Sequence, residues 1–321
     1  MIDIFTHEFF SLLLFVLLAI FLLAGYPVSL TLAGTAIIVA LLGYAADLFP
    51  VVLLNVLPNR VFGLVTNETL IAVPLFIFMG VMLEKSGVAV ALLENMSKIW
   101  GKIRGGLVYS VLIVGVLMAA STGIVGATVV TMGILSLPLM LKWNYNKKMS
   151  AGIICASGTL GQIIPPSIVL VLLADIFQGA NEQASQISGN LAPTPVSSVD
   201  LFAGAIIPGM LLVILYGIWI LINSILKPGN FPVQKENKDK VILRDLLGTI
   251  FPPIALIILV LGSILFGIAT PTESASLGAL GSIIIAMKNK LKMEIFKSAC
   301  IETLKINSMV FFILIGASLF S

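Results

Sequence analysis

The sequence predicts an all-α polytopic membrane protein, built as an inverted-topology repeat with a re-entrant hairpin and a broken helix. Three observations carry that prediction: composition, hydrophobic run length and the placement of basic residues. Of 321 residues, 59% are hydrophobic and 10% charged, with a mean hydropathy of +1.14. Soluble domains carry roughly 25% charged residues, because a folded surface has to be wetted. A chain with less than half that charge needs lipid as solvent. Secreted disulfide scaffolds, cytosolic enzymes and disordered chains are excluded on this ground.

A bilayer core of about 30 Å takes roughly 20 apolar residues as helix. In order, the candidate spans are residues 9–25, 28–46, 70–83, 107–120, 124–141, 201–226, 246–267, 273–287 and 306–321. The first has no basic leader and no small-residue cleavage site, so it reads as a span and not a signal peptide. Lys and Arg fall in four groups, 85–104, 142–148, 227–244 and 288–305, with Arg60 the exception. The opposite loops carry Asp3, Glu8, Asp47, Glu68, Asp175, Glu182 and Asp200. Placing the basic groups in the cytoplasm makes the spans alternate, with the amino terminus outside.

Two stretches break that rhythm. Residues 107–141 are apolar, interrupted by Ser121-Thr122-Gly123, and have basic flanks on both sides, which predicts a hairpin entering and leaving from the cytoplasm. Residues 151–177 must cross outward, yet carry Gly158-Thr159-Leu160-Gly161-Gln162-Ile163-Ile164-Pro165-Pro166-Ser167 at their middle. Two prolines remove two backbone donors, and the glycines loosen the turn before them. Unpaired backbone costs several kcal/mol per group in hydrocarbon, so a broken helix at membrane depth belongs inside the protein or beside a water-filled cavity. A hairpin tip and a broken crossing together predict a transport site.

An internal repeat supports this. Pro27 and Gly34 open the second span as Pro271 and Gly278 open the eighth, and Phe76-Ile77-Phe78-Met79-Gly80 is similar to Phe312-Ile313-Leu314-Ile315-Gly316. The matches are in order, and the charge rule gives paired segments opposite directions. Residues 1–228 then form the first repeat, 229–245 a cytoplasmic linker and 246–321 the start of a second repeat. Gly80 is followed by an arm, the hairpin and the break, whereas Gly316 is followed by five residues. The second repeat is therefore expected to be incomplete by about a hundred residues, a truncation in gene or chain.

The runs Ser121-Thr122-Gly123-Ile124-Val125-Gly126-Ala127-Thr128, 156–167 and Gly267-Ile268-Ala269-Thr270-Pro271-Thr272-Glu273 resemble the large membrane subunit of tripartite ATP-independent periplasmic (TRAP) transporters. The resemblance runs from about residue 8 to the last residue, and the G-T-L-G-x-I-I-P-P-S run is its most specific part. It implies an elevator-type transporter of the cytoplasmic membrane, driven by a Na+ gradient. It also implies a small four-helix membrane subunit, a periplasmic substrate-binding protein and a small organic anion of the carboxylate class as substrate. Carried over residue by residue, a Na+ site would take carbonyls from Gly161, Ile164 and Pro166, with Thr122 and the backbone near Val125 facing them. Members of the family often show S-G-S-S at the hairpin tip; Thr122-Gly123-Ile124-Val125 here keeps only the first hydroxyl. A matching second site would use a second hairpin that these residues do not contain.

Thr128, Gln162 and Ser167 are the substrate-binding candidates. Gln162 could hydrogen-bond a carboxylate or tie down loose backbone, and Thr131 is expected to bond back to its own helix. Glu273 is either a functional intramembrane acid or, as favoured, the first-turn acid of a helix begun at Thr270. Arg60 is expected to snorkel to headgroups. Residues 88–100 and 293–305 read as interfacial arms. Cys155 and Cys300 read as small apolar packing residues. His7 is the lone histidine, which excludes multi-histidine zinc sites and a Ser-His-Asp triad. There is no basic stripe with interleaved aromatics and so no nucleic-acid surface.

Three rivals remain. A membrane-embedded enzyme would need HExxH, DDxxD, a paired-aspartate motif or Ser with His, none of which the sequence holds. A free-standing sodium/dicarboxylate symporter also uses inverted repeats with hairpins, but needs no small subunit. An inactive truncated fragment is the third.

Overall fold

The computed structural model describes residues 2–100, 103–189, 195–233, 243–289 and 291–321. Thirteen α-helices are described: α1 (Ile2–Leu23), α2 (Val28–Ala45), α3 (Leu57–Val65), α4 (Ala72–Lys85), α5 (Val88–Trp100), α6 (Gly106–Thr122), α7 (Val125–Lys142), α8 (Lys147–Thr159), α9 (Ile168–Ser188), α10 (Ser198–Leu226), α11 (Leu243–Leu265), α12 (Pro271–Lys288) and α13 (Met293–Phe320). Every predicted span has its helix, and among the described residues there is no strand. Five of the helices are long and apolar enough to cross a membrane. The longest, α10, has 29 residues and carries exposed Ile207, Leu211, Ile214, Ile218 and Ile225 on its flanks. At about 1.5 Å per residue it exceeds a bilayer core, and exposed aliphatic side chains at that density are suited to lipid.

The chain divides into two compact units, residues 1–68 with 304–321, and residues 69–303. In the first unit α13 crosses α2 at Gly316, where a Cβ would lie 2.5 Å from the Ser29 carbonyl oxygen. Phe15 of α1 meets Phe320 edge to face at 6.0 Å. Thr31 and Thr35 donate their hydroxyls back to the Pro27 and Thr31 carbonyls, so neither leaves a polar group open.

In the second unit α12 lies along α4. A Cβ on Gly278 would stand 2.6 Å from the Met79 sulfur, which shows how closely the two helices approach. The repeat matched α2 with α12 and the Gly80 segment with the Gly316 segment. Each unit therefore holds one helix from each copy, α2 with α13 and α4 with α12. The core of this unit is built by α5, α6, α7 and α8 around Leu92, Val111, Met132, Ile153 and Leu160. It is closed below by Phe231, which is buried against Gly105 and Ile220. Tyr145, in the turn between α7 and α8, donates to the Pro232 carbonyl at 3.0 Å, and burial pushes its phenol up to about 12.

Several expectations are corrected. Residues 293–305 do not form a separate arm: α13 runs unbroken from Met293 to Phe320, while α5 is a discrete helix as expected. The segment around Arg60 is helical, a 3-10 turn at Val51–Val56 leading into α3 with Pro58 in its first turn, where a missing N–H costs nothing. Arg60 does not snorkel free; it donates to the Ser318 carbonyl and the Ser321 hydroxyl, both at 3.2 Å. Cys155 is exposed and Cys300 half-buried, and both are free thiols. The polar linker begins as an ordered segment through Val233, while its residues 234–242 lie outside the described residues.

Candidate functional site

The predicted hairpin tip is the junction of α6 and α7. α6 ends at Thr122, and the chain reverses through Gly123, whose φ of +59° is a left-handed conformation that glycine adopts without steric cost. Ile124 is extended and opens α7 at Val125, whose first amides receive no side-chain cap. Thr122 lies at the tip as expected, but its side chain falls outside the described residues.

The predicted broken crossing is the interval between α8 and α9. α8 stops at Thr159, a 3-10 turn spans Leu160–Gln162, and regular structure resumes at Ile168. The Pro165–Pro166 bond is cis. The Ile163 and Ile164 amides both donate to the Leu160 carbonyl, after which the two prolines offer no N–H. Among the described residues no hydrogen bond reaches the carbonyls of Ile164, Pro165 or Pro166. Pro165, Pro166 and Ser167 are buried and Ile164 is half-buried, so these acceptors belong to a segment that lies largely inside the protein.

Three contacts hold the tip against the break. Gln162 Nε2 donates to the Gly123 carbonyl at 2.9 Å, joining residues 39 apart in sequence. A Cβ on Gly161 would lie 3.1 Å from the Ala119 carbonyl, so the 3-10 turn is seated directly on the last turn of α6. One turn earlier, a Cβ on Gly158 would lie 2.5 Å from Val129 Cγ2 and 3.0 Å from Val129 Cα. Ser167 latches the break itself: its hydroxyl donates to the Gln162 carbonyl at 2.9 Å and accepts from the Leu170 amide as the cap of α9.

The structure thus brings Gly161 and Gln162 to the tip, with Ser167 tied to the Gln162 carbonyl, Ile164 and Val125 half-buried and Pro166 buried nearby in the chain. Thr128 is fully buried, and its hydroxyl donates to the Ile124 carbonyl at 2.8 Å. The hydroxyl protons of Thr128 and Ser167 are therefore both directed to backbone carbonyls. Gln162 Oε1 is buried with no hydrogen-bond partner.

No charged side chain occurs in residues 121–128 or 158–167. Among the described residues no cluster of His, Cys, Asp and Glu could hold a metal ion. What the site offers instead is neutral oxygen. The carbonyl-rich C-terminal ends of α6 and of the α8 segment meet there, with partial negative charge, and the amide-rich N-terminal ends of α7 and α9 begin beside them, with partial positive charge. Hard cations take oxygen ligands, and unwound carbonyls at a helix break are the form in which transporters supply them to Na+. The oxygens present are of that type: the carbonyls of Ile164, Pro165 and Pro166, which no described donor reaches.

Two further features bear on the site. Thr131 does not bond back to its helix; its hydroxyl donates to Glu84 Oε1 at the end of α4. Beside it, Lys85 pairs with Glu302 of α13 at 2.6 Å and donates to the Ser298 hydroxyl. Glu84 was not singled out by sequence; the available signal was an acid closing an apolar helix, four residues after the matched Gly80. Glu273 is settled as a cap: its Oε2 accepts from the Thr270 amide at 2.8 Å, while its own amide donates to the Thr270 hydroxyl.

A family model described as "Tripartite ATP-independent periplasmic transporter, DctM component" matches residues 15–321. The chain is similar to the C4-dicarboxylate TRAP transporter large permease protein DctM of Vibrio cholerae, at 32% identity over 85% of this chain and 55% of that protein. It is similar to the protein of the same name from Rhodobacter capsulatus at 30% identity, over 97% of this chain and 68% of the relative. The isethionate TRAP transporter permease protein DctMQ of Oleidesulfovibrio alaskensis is 29% identical over 96% of this chain and 45% of its own length. The chain thus spans about half the length of the Vibrio cholerae relative. These relatives are named as permease proteins, not enzymes. With the match extending across nearly all of its residues, the chain belongs to the DctM-component family of tripartite ATP-independent periplasmic transporters.

Proposed function

We propose that this protein is the membrane permease subunit of a sodium-driven, binding-protein-dependent secondary transporter that imports a small organic anion across the cytoplasmic membrane. The observation that carries the reading is the join between hairpin tip and broken crossing: Gln162 bonded to Gly123, beside carbonyls that no described donor reaches. Open backbone of that kind is tolerated at membrane depth only where it is buried in protein or lines a water-filled cavity, the setting in which an ion can meet it. The carbonyls of Gly161, Ile164 and Pro166, with Thr122 and the backbone near Val125, would hold Na+, whose binding energy favours the joined arrangement. Ser167 and Gly158 keep these oxygens in place.

The partners follow from the family. A small four-helix membrane subunit would complete the permease, and a periplasmic binding protein would deliver the substrate to the outer face. In this reading the amino terminus is periplasmic and the basic loops are cytoplasmic, consistent with the charge distribution. The relatives are named for C4-dicarboxylates and isethionate, which favours a small anion. A carboxylate is the class we assign, with C4-dicarboxylates the first to test.

The test is uptake into proteoliposomes holding the chain with its small subunit and binding protein, with radiolabelled C4-dicarboxylates. An inward Na+ gradient should drive accumulation and an equal K+ gradient should not. Uptake that is indifferent to Na+ removes the coupling assignment. Uptake that needs no small subunit or binding protein transfers the chain to the free-standing symporter reading.

A further inference from the structure

The Gln162 side chain presents a problem that hydrogen bonding within the protein does not solve. Its Nε2 donates to the Gly123 carbonyl at 2.9 Å, and its Oε1 is buried without a partner. The orientation of the amide is fixed by chemistry: turning it over would set Oε1 against a carbonyl oxygen, two acceptors facing each other. A buried polar atom is expected to find a partner, and each exception calls for an explanation.

The surroundings make the problem sharper. Pro165 and Pro166 have no N–H. The Ile163 and Ile164 amides are engaged by the Leu160 carbonyl, and the Ser167 hydroxyl is engaged by the Gln162 carbonyl. Within the break, Gln162 Oε1 and the carbonyls of Ile164, Pro165 and Pro166 are acceptors that no described donor meets. A carboxylate substrate would add further acceptors. The uncapped first amides of α7 are the donors at this joint, and they suit an anion or water; the Gln162 Oε1 and the open carbonyls are oxygen lone pairs, which a cation takes together.

The geometry points to the Gln162 side-chain oxygen as a direct ligand of the coupling cation, in addition to the backbone carbonyls. This inference rests on the Na+ reading above and assigns that site its one side-chain amide oxygen. Gln162 acts on both sides of the joint, holding the tip through its nitrogen and the ion through its oxygen.

The experiment measures Na+ binding to the full chain in lipid nanodiscs, by 22Na equilibrium binding and by Na+-induced thermal stabilisation, with choline chloride holding ionic strength. Three proteins are compared: wild type, Gln162→Leu and Gln162→Glu. Leucine removes both the donor and the oxygen. Glutamate removes the donor to Gly123 but keeps, and charges, the oxygen. A ligand role predicts that Na+ affinity falls about tenfold or more in Gln162→Leu. In Gln162→Glu it is retained or raised, and weakens again as pH is lowered enough to protonate the carboxylate. If Gln162 only positions the tip, Glu and Leu lose affinity alike, and the inference is overturned. Unchanged affinity in Gln162→Leu overturns it as well, leaving Oε1 to a bound water while the Na+ site stands. Wild-type protein that binds no Na+ defeats the underlying reading together with the inference. Thermal midpoints in choline alone establish that each variant is folded.

Discussion

Gly158→Ala is the substitution whose consequence the structure determines most closely. The added Cβ would lie 2.5 Å from Val129 Cγ2, 3.0 Å from Val129 Cα and 3.1 Å from Val129 N. Carbon atoms rest in contact at about 3.5–4.0 Å, so the shortfall is roughly 1 Å at the methyl and about 0.5 Å at the main chain. Valine in a helix has one strongly preferred rotamer, so the methyl does not swing aside without strain. Even with the methyl moved, the main-chain contacts remain, and relief requires α8 to shift off α7. Overpacking of this kind costs about 1–3 kcal/mol. The shift also travels, because Gly158 lies four residues before Gln162 in the same α8 segment. Its displacement stretches the 2.9 Å bond to the Gly123 carbonyl. The assay is thermal unfolding in detergent, with Gly152→Ala as control: Gly152 lies on the same helix with nothing within 4 Å of its Cβ position. The control should be neutral or gain about 0.5–1 kcal/mol from helix propensity. Gly158→Ala should be destabilised, and adding Val129→Ala should restore only part of the loss. Equal behaviour of the two alanine variants would refute the close approach of α7 and α8.

Ser167→Ala removes the cap of α9 and leaves the Gln162 carbonyl unpaired, which should cost about 1–2 kcal/mol in thermal unfolding; Ser167→Thr, which keeps the hydroxyl, should lose less. Thr131→Val deletes the bond to Glu84 and should destabilise by about 1–2 kcal/mol, whereas Glu84→Gln retains an acceptor and should lose less; equal loss would count against the bond. Gly316→Ala places a Cβ 2.5 Å from a main-chain oxygen of Ser29, so it should cost about 1–3 kcal/mol, and no change at Ser29 should rescue it. Lys85→Ala breaks a half-exposed ion pair with Glu302 and should change stability by less than about 1 kcal/mol, less still in high salt.

Much of the fold was legible because membranes impose simple rules. Apolar run length located a helix at every expected span, five of the described helices being long and apolar enough to cross a membrane. The break at Gly161–Ser167 was visible because proline and glycine act on their own backbone, which needs no tertiary knowledge. What escaped was long-range or hidden by local habit. The bond from Gln162 to Gly123 and that from Thr131 to Glu84 join residues far apart in sequence, and no local pattern encodes either. The continuity of α13 was missed because its polar first half and apolar second half differ in composition, while helical hydrogen bonding is indifferent to that change. Glu273 was read correctly as a cap because Thr-x-x-Glu is a reciprocal local motif.

The central claim is that the hairpin tip and the broken crossing form one cation-binding unit. Hydrogen–deuterium exchange of the protein in Na+ against choline tests it most directly, read on residues 121–128 and 158–167. The account predicts that Na+ protects both segments together, with one concentration midpoint, because the ion is held by oxygens from both. Protection of one segment without the other, or of neither, would contradict it.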